Sequence, residues 1–277
     1  MPELAYVDGV IGPLRESKLS ATGHGFQSGY GVFETMRGYR GRLFRLGAHL
    51  QRLMSGAAFL DIKIDPIELD LLVPRLLEDS HLAEARVRLG AAAEKGGIAG
   101  IVITVESYQP PSAEDYDRGL PAVIASIRRQ SDSPIIRHKT LDRREYDLAK
   151  AEAEDRGAAE AIFLNEYGQV TESHRCNTFM VKNGALKTPR LGCGLLPGIT
   201  RAAILELARR RRIPFEETNI SAAELLESEE VFITSSLIEI MPLTTIDGAI
   251  VGRGKIGRLT SQLSTDYRRL VYSETGG

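Results

Sequence analysis

The sequence predicts a mixed α+β fold in two domains, and three observations carry that expectation. Segments of strand-like alternation and of helical spacing follow one another along all 277 residues, a length that supports more than one core. The dipeptides Asp8-Gly9, Asn183-Gly184 and Asp247-Gly248 mark tight antiparallel hairpins. GxxxxGK[ST] does not occur, so the P-loop nucleotide-binding folds lack their fingerprint.

In the first half, Leu4–Val7 and Val10–Gly12 flank the first hairpin turn, and Gly31–Tyr39 reads as a strand that Arg40-Gly41 turns into Leu43-Phe44. Leu46, Leu50, Leu53 and Ala57 then recur at helical spacing. Asp65-Pro66-Ile67-Glu68 combines an N-cap acid, Pro at N1 and Glu at N3, opening a helix that runs to about Ser80. Strands are expected near Ala85–Ala93 and Ile98–Ser107. The stretch Tyr108–Gly119, with paired prolines, acids and a terminal Gly, suits an exposed connection. The expected partition is a domain over 1–115, a linker over 116–125 and a second domain over 126–277.

In the second half a strand is expected from Pro121 to Ser126, and Leu141–Arg156 is helical up to Gly157. Ala161–Leu164, Val170–Ser173, Phe179–Val181 and Ala185–Lys187 are short strands. Ile199–Arg212 is helical, Ser221-Ala222-Ala223-Glu224 is a capping box, Val231–Thr234 is a strand, and Thr260–Tyr272 closes the chain as an amphipathic helix.

Composition narrows the function classes. With 43% hydrophobic and 26% charged residues and a formal net charge of −2, nothing draws the chain to nucleic acid or to an anionic membrane. The basic run Arg209–Arg212 reads as a solvated helix C-terminus. Cys176 and Cys193 have neither a disulfide framework nor zinc spacing, and His24, His49 and His138 lack ligand spacing, so no metal is expected. The absence of a basic n-region with an apolar stretch, and of a long apolar window, leads to the expectation of a cytoplasmic protein.

Three segments can carry chemistry. Gly192, Gly194 and Gly198 lead into a helix beginning Ile199-Thr200, whose free N–H groups and dipole suit a phosphate; alone, this is any helix start after a loop. Lys139 lies in Arg137-His138-Lys139-Thr140-Leu141 between a strand and a helix. Alone it reads as a surface lysine; as a Schiff-base amine it needs burial or neighbouring cations such as Arg137 and Arg143. Glu172, in Val170-Thr171-Glu172-Ser173, is an exposed strand acid by itself, or the partner of a pyridine nitrogen.

Together these segments resemble the fold-type IV (class IV) pyridoxal-phosphate enzymes, which include branched-chain and D-amino-acid aminotransferases and 4-amino-4-deoxychorismate lyases. The matching stretches are Gly29–Arg37, Phe44-Arg45-Leu46, His49–Leu53, His138–Leu141, Glu172–Phe179, Leu196–Arg201, and Thr234-Ser235-Ser236 with Glu239 and Pro242, in register over nearly the whole chain. The resemblance implies pyridoxal 5'-phosphate at the domain interface, Lys139 as Schiff-base lysine and proton shuttle, and Glu172 as pyridinium partner. It also implies phosphate contacts from Arg52, Ile199, Thr200 and Ser236, with Asn177 and Ser235 beside the cofactor. A homodimer acting on small amino acids and 2-oxo acids is implied as well, with residues near Tyr30 reaching the other subunit's site.

Substrate residues follow the resemblance less closely. Where D-amino-acid enzymes carry an Arg-Gly segment, Ala92-Ala93-Glu94-Lys95-Gly96-Gly97 has no arginine. Arg88, in Arg86-Val87-Arg88, lies near the place of the carboxylate arginine of branched-chain enzymes, although a surface arginine is the plainer reading. Thr35, where branched-chain enzymes have Gly, and Lys139-Thr140-Leu141-Asp142-Arg143 lean toward the lyases. The expectation is an aminotransferase of D-amino-acid or branched-chain type. The alternatives are a lyase releasing pyruvate and 4-aminobenzoate and, more remotely, a catalytically dead dimeric binding protein.

Overall fold

The structure is a computed structural model describing residues 3–19, 23–64, 69–93 and 99–276, with backbone alone at 24 and 26. The helix start expected at Asp65–Glu68, the Glu94–Gly97 part of the substrate-loop comparison and the side chain of His24 lie outside the described residues. Two compact units emerge: Met1–Pro110 with His138–Asp142 and Val271–Gly277, and Pro111–Arg137 with Arg143–Leu270.

The first unit contains β1 (Leu4–Val7), β2 (Val10–Pro13), α1 (His24–Ser28), β3 (Gly31–Tyr39), β4 (Arg42–Leu43), α2 (Leu46–Phe59), α3 (Leu69–Ser80), β5 (Glu84–Ala93) and β6 (Ala99–Ser107). Its sheet runs β2-β1-β6-β5-β3-β4, antiparallel at every step. Alternate residues of β3 and β5, among them Val32, Met36, Val87 and Leu89, face Leu53, Leu76 and Leu77 of the two longer helices in one core. Each such fully buried Leu or Val contributes roughly 1.5–3 kcal/mol.

The segment carrying Lys139 belongs to this unit by contact, although the sequence-based partition puts it in the C-terminal domain. Phe33 N–H donates to the Lys139 carbonyl and Leu141 N–H to that of Gly31, both at 2.9 Å, and Val32 bridges Thr140 antiparallel. This pairing extends the sheet edge and delays the following helix, which starts at Arg144 rather than Leu141.

The second unit contains α4 (Ala113–Arg118), β7 (Leu120–Arg129), α5 (Arg144–Asp155), β8 (Glu160–Asn165), β9 (Val170–Ser173), β10 (Asn177–Lys182), β11 (Ala185–Pro189), α6 (Ile199–Arg210), β12 (Phe215–Thr218), α7 (Ala222–Leu226), β13 (Glu230–Ser235), β14 (Glu239–Ile246), β15 (Ala249–Ile250) and α8 (Arg258–Glu274). The stretch expected as a linker is packed structure. Ser112 accepts from Asp115 N–H in a capping box that opens α4, Tyr116 is buried, and β7 lies inside the sheet. Antiparallel character holds for most of this sheet, but β7 pairs in parallel with both β8 and β14, and β11 with β12.

The sheet order β12-β11-β10-β13-β14-β7-β8-β9 returns on itself, because β9 also pairs with β10 at Glu172↔Asn177. Six strands therefore close into a ring, a solution that removes sheet edges. Residues singled out in the sequence as chemically important sit at the closing pair.

Candidate active site

In the first unit, strand alternation sorts β3 into two chemistries. Val32, Glu34 and Met36 point to the core, and Phe33 and Thr35 to the opposite face. On that opposite face Arg88 is paired in register with Thr35, is exposed, and lies with Cζ 5.0 Å from the Phe33 ring centre. Lys139 Nζ lies 4.7 Å from the same ring centre. One phenyl ring thus carries an amine and a guanidinium within cation–π range. The Lys139 main chain is pinned from both sides: by the Phe33 hydrogen bond, and by His138, stacked on Phe59 at 4.3 Å. Gly31 leaves room for this segment, since a Cβ there would come 2.6 Å from Leu141 Cδ1. Tyr30 donates its hydroxyl to the Leu60 carbonyl at 2.8 Å.

Behind that face, Arg52 meets Glu34 side-on. Nε donates to Oε1 and Nη2 to Oε2, both at 2.7 Å, and His49 Nδ1 is 2.7 Å from Oε2. Burial alone would raise the Glu34 pKa, but the hydrogen bonds from Arg52 and His49 outweigh it and hold the carboxyl at about 2. Burial, opposed by Glu34 and assisted by the charges of Arg52 and Lys139, pushes His49 below the ordinary histidine range. The neutral ring then donates Nδ1–H to the carboxylate.

In the second unit, Glu172 is held at both oxygens. Oε2 accepts from Leu196 N–H at 3.1 Å and from Asn177 Nδ2 at 3.4 Å, and Oε1 accepts from the Tyr146 hydroxyl at 3.3 Å. Asn177 Nδ2 also reaches the Leu196 carbonyl at 2.9 Å. Arg129 is buried over the Tyr146 and Phe163 rings, donates Nη2 to the Tyr146 hydroxyl at 2.8 Å, and brings Nη1 within 3.8 Å of Glu172 Oε1. Burial, and then the Glu172 charge, raise Tyr146 to about 12, so it stays a proton donor. Arg143 donates to the His174 carbonyl at 2.8 Å and stacks on Tyr146 at 3.6 Å.

The turn between Glu172 and Asn177 is braced by Glu160, which is fully buried. Ser173 Oγ donates to one oxygen at 2.9 Å and Arg175 to the other at 2.7 Å. His174 beside them accepts Ala161 N–H at 3.3 Å, and burial followed by the charges of Arg175 and Arg143 lowers it to about 3. A histidine held neutral when folded protonates on unfolding below its ordinary pKa, so its stabilisation is complete above ~6.5 and fades as pH falls toward the folded value. At 1.36 kcal/mol per pH unit, about 2 kcal/mol is lost by pH 5. His174→Asn should therefore lose correspondingly less stability than wild type between pH 7 and pH 5 in urea titrations. Equal losses would show that His174 does not titrate this way.

Helix α6 begins at Ile199 after Gly198, with no side-chain cap, so its first N–H groups have no intrahelical acceptor. Gly198 is required by space, since a Cβ there would overlap Asn177 Oδ1. Thr200 is buried, and its hydroxyl has no hydrogen-bond partner among the described residues. An orphaned buried hydroxyl at a helix N-terminus fits an anion such as phosphate. Ser235 accepts Ile238 N–H at 3.5 Å, and Ser236 is half-buried in the same turn after β13.

The expected site residues fall in two sets: Tyr30, Thr35, Arg52, Arg88 and Lys139 in the first unit, the remainder in the second. Within the sets, Lys139 joins Arg88 at Phe33, and Glu172 joins Asn177. Arg143 is committed to a main-chain carbonyl and an aromatic face. Sequence reasoning missed Glu34, His49, Arg129, Tyr146 and Glu160 as partners. A signal was present for Glu34, an acid at a core-facing strand position with His and Arg three residues apart on the next helix. Among the described residues, no group of His, Cys, Asp or Glu could hold a metal, and no helix is long and apolar enough to cross a membrane.

Comparison with known proteins identifies the class. The family described as amino-transferase class IV matches residues 31–246, and the chain belongs to that family of pyridoxal-phosphate enzymes. It is 32% identical to the D-alanine aminotransferase of Bacillus licheniformis, covering 91% of each chain. It is also 32% identical to branched-chain-amino-acid aminotransferase-like protein 1 of Arabidopsis thaliana, where 97% of the chain spans 50% of that protein. Among solved structures, the branched-chain amino acid aminotransferase of Escherichia coli is 26% identical with a TM-score of 0.93, over 99% of this chain and 96% of that one. That of Thermoproteus uzoniensis with norvaline is 28% identical with a TM-score of 0.88, over 99% and 96%.

Proposed function

We propose that the protein transfers an amino group between an amino acid of branched-chain type and a 2-oxo acid. The observation that carries this reading is the pair Lys139 and Arg88 around Phe33, an amine for the reaction and a guanidinium for a carboxylate. When bound, pyridoxal phosphate supplies an aldehyde to bind the amino group and a ring to accept the electron pair released at the substrate Cα.

The chain's own residues do the rest. Lys139 Nζ anchors the cofactor and moves the proton at Cα. Glu172, held by Leu196 N–H, Asn177 and Tyr146, keeps a proton on the ring nitrogen. Thr200, the N–H of Ile199, the Ser235-Ser236 turn and Arg52 bind the phosphate. Arg88 orients the substrate carboxylate, with Thr35 beside it. The homodimer implied by the resemblance belongs to the same reading.

A donor–acceptor screen tests it. Branched-chain L-amino acids should release their 2-oxo acids with an added acceptor. Turnover of D-alanine alone would move the protein to the D-amino-acid branch, and pyruvate with 4-aminobenzoate from aminodeoxychorismate would replace transfer by lysis. Arg88→Leu should raise KM for the donor about tenfold to a hundredfold, the loss of one charge-assisted contact of ~1.5–3 kcal/mol, with a smaller change in kcat. An unchanged KM would remove Arg88 from the substrate site.

A further inference from the structure

We propose that Glu34, braced by His49, is a positioning residue that presets Arg52 to grip the cofactor phosphate. The inference rests on the assignment of Arg52 to that phosphate.

Glu34 occupies a core-facing position of β3 between Val32 and Met36 and has no exposed surface. A carboxylate there carries a desolvation cost that ion pairing often fails to recover, and apolar side chains of similar volume frequently serve stability as well or better. Its geometry points to another purpose. The guanidinium is met on its Nε–Nη2 edge by both carboxylate oxygens, which fixes the plane as well as the place of the group. His49 secures the carboxylate from the same helix that carries Arg52, at i and i+3. Strand and helix thereby hold the arginine from two directions. Of the three side chains, Arg52 has the most exposure, 13% against 2% for His49 and none for Glu34. The side chain of the cluster with surface left for a ligand is therefore Arg52, and the two closed to it are its supports.

Two effects of Glu34 oppose each other. As a fixed negative charge it repels a phosphate dianion; as a clamp it removes the cost of ordering Arg52 on binding. The proposal is that the clamp wins, so removing Glu34 weakens phosphate binding although it removes a repulsion.

The full-length protein, stripped of cofactor, is titrated with pyridoxal phosphate and separately with pyridoxal, following fluorescence quenching. Glu34→Gln should weaken pyridoxal phosphate about tenfold to a hundredfold, the usual consequence of losing a supporting partner behind a ligand-binding group. Pyridoxal, which has no phosphate, should bind as in wild type, a distinction that a merely structural role would not produce. The double variant Glu34→Gln/Arg52→Ala should bind no more weakly than Arg52→Ala, because both act through one contact. If Arg52→Ala leaves the affinity unchanged, the assignment of Arg52 is wrong. If Arg52→Ala weakens binding while Glu34→Gln does not, or tightens it, only the present inference fails. Equal weakening of pyridoxal and pyridoxal phosphate by Glu34→Gln also overturns it. Should Glu34→Gln not fold by near-UV circular dichroism, His49→Leu is read instead. It leaves the ion pair and takes away its brace, and a several-fold loss for pyridoxal phosphate alone is expected, with no loss overturning the proposal.

Discussion

Lys139→Ala is expected to lose turnover by roughly 10⁴-fold, the upper end for a positioned acid–base group, while remaining folded. The amine has two tasks in the proposed reaction, anchoring the cofactor and moving the Cα proton, and alanine performs neither. The fold should tolerate the change because alanine keeps the main-chain pairing of this segment: the carbonyl at 139 accepts Phe33 N–H, and the neighbouring Thr140 bridges Val32. The substitution removes the cation–π contact with Phe33, worth about 0.5–2 kcal/mol. Borohydride treatment of the wild-type protein, followed by peptide mapping, should place the cofactor on the Lys139 peptide. Label on Lys150 or Lys182 would remove Lys139 from the anchoring role.

Glu172→Gln separates ring electronics from cofactor grip. The phosphate contacts proposed for Arg52, Ile199, Thr200 and Ser236 are untouched, so cofactor affinity should change little. The amide keeps an oxygen for Leu196 N–H or the Tyr146 hydroxyl but carries no charge to hold a proton on the ring nitrogen. Loss of one electrostatic contact of this kind slows a chemical step by about 10²–10³, or ~2.7–4 kcal/mol. Arg129, whose Nη1 is 3.8 Å from Glu172, loses its buried carboxylate partner in this variant and keeps only the exposed Glu145, 3.9 Å from its Nε, so some loss of thermal stability should accompany the slow step. Cofactor titration with single-turnover absorbance measures both quantities. A variant that loses its cofactor but retains a fast chemical step would contradict the role given to Glu172.

Much of the secondary structure is written locally. Gly31–Tyr39 and Val170–Ser173 match their strands end to end, because alternation and flanking turn residues act over a few positions. The Ser221 capping box is present as expected. Ser112 forms a capping box with Asp115 inside a stretch dominated by turn signals, and that local competition concealed α4. Strand β14 carries Pro242, a residue that argues against an interior strand, yet it pairs on both sides. Strand β7 extends three residues past its expected end because Arg128 and Arg129 continue it, and the Tyr146 and Phe163 rings, the Tyr146 hydroxyl and the Glu172 carboxylate make a buried arginine acceptable there.

By itself the sequence determined the class of fold and the family, because motifs in register along nearly the whole chain are an ordered one-dimensional signal. Tertiary structure alone decided which residues meet. Lys139 pairs with β3 and faces Phe33, Glu34 clamps Arg52, the six-strand ring closes at Glu172, and Arg143 turns to a carbonyl of its own unit. The physical reason is range. Backbone preference and capping act within one turn or one hairpin. Strand register and the pairing of buried charges are settled by desolvation and close packing between segments distant in sequence, which no local pattern records.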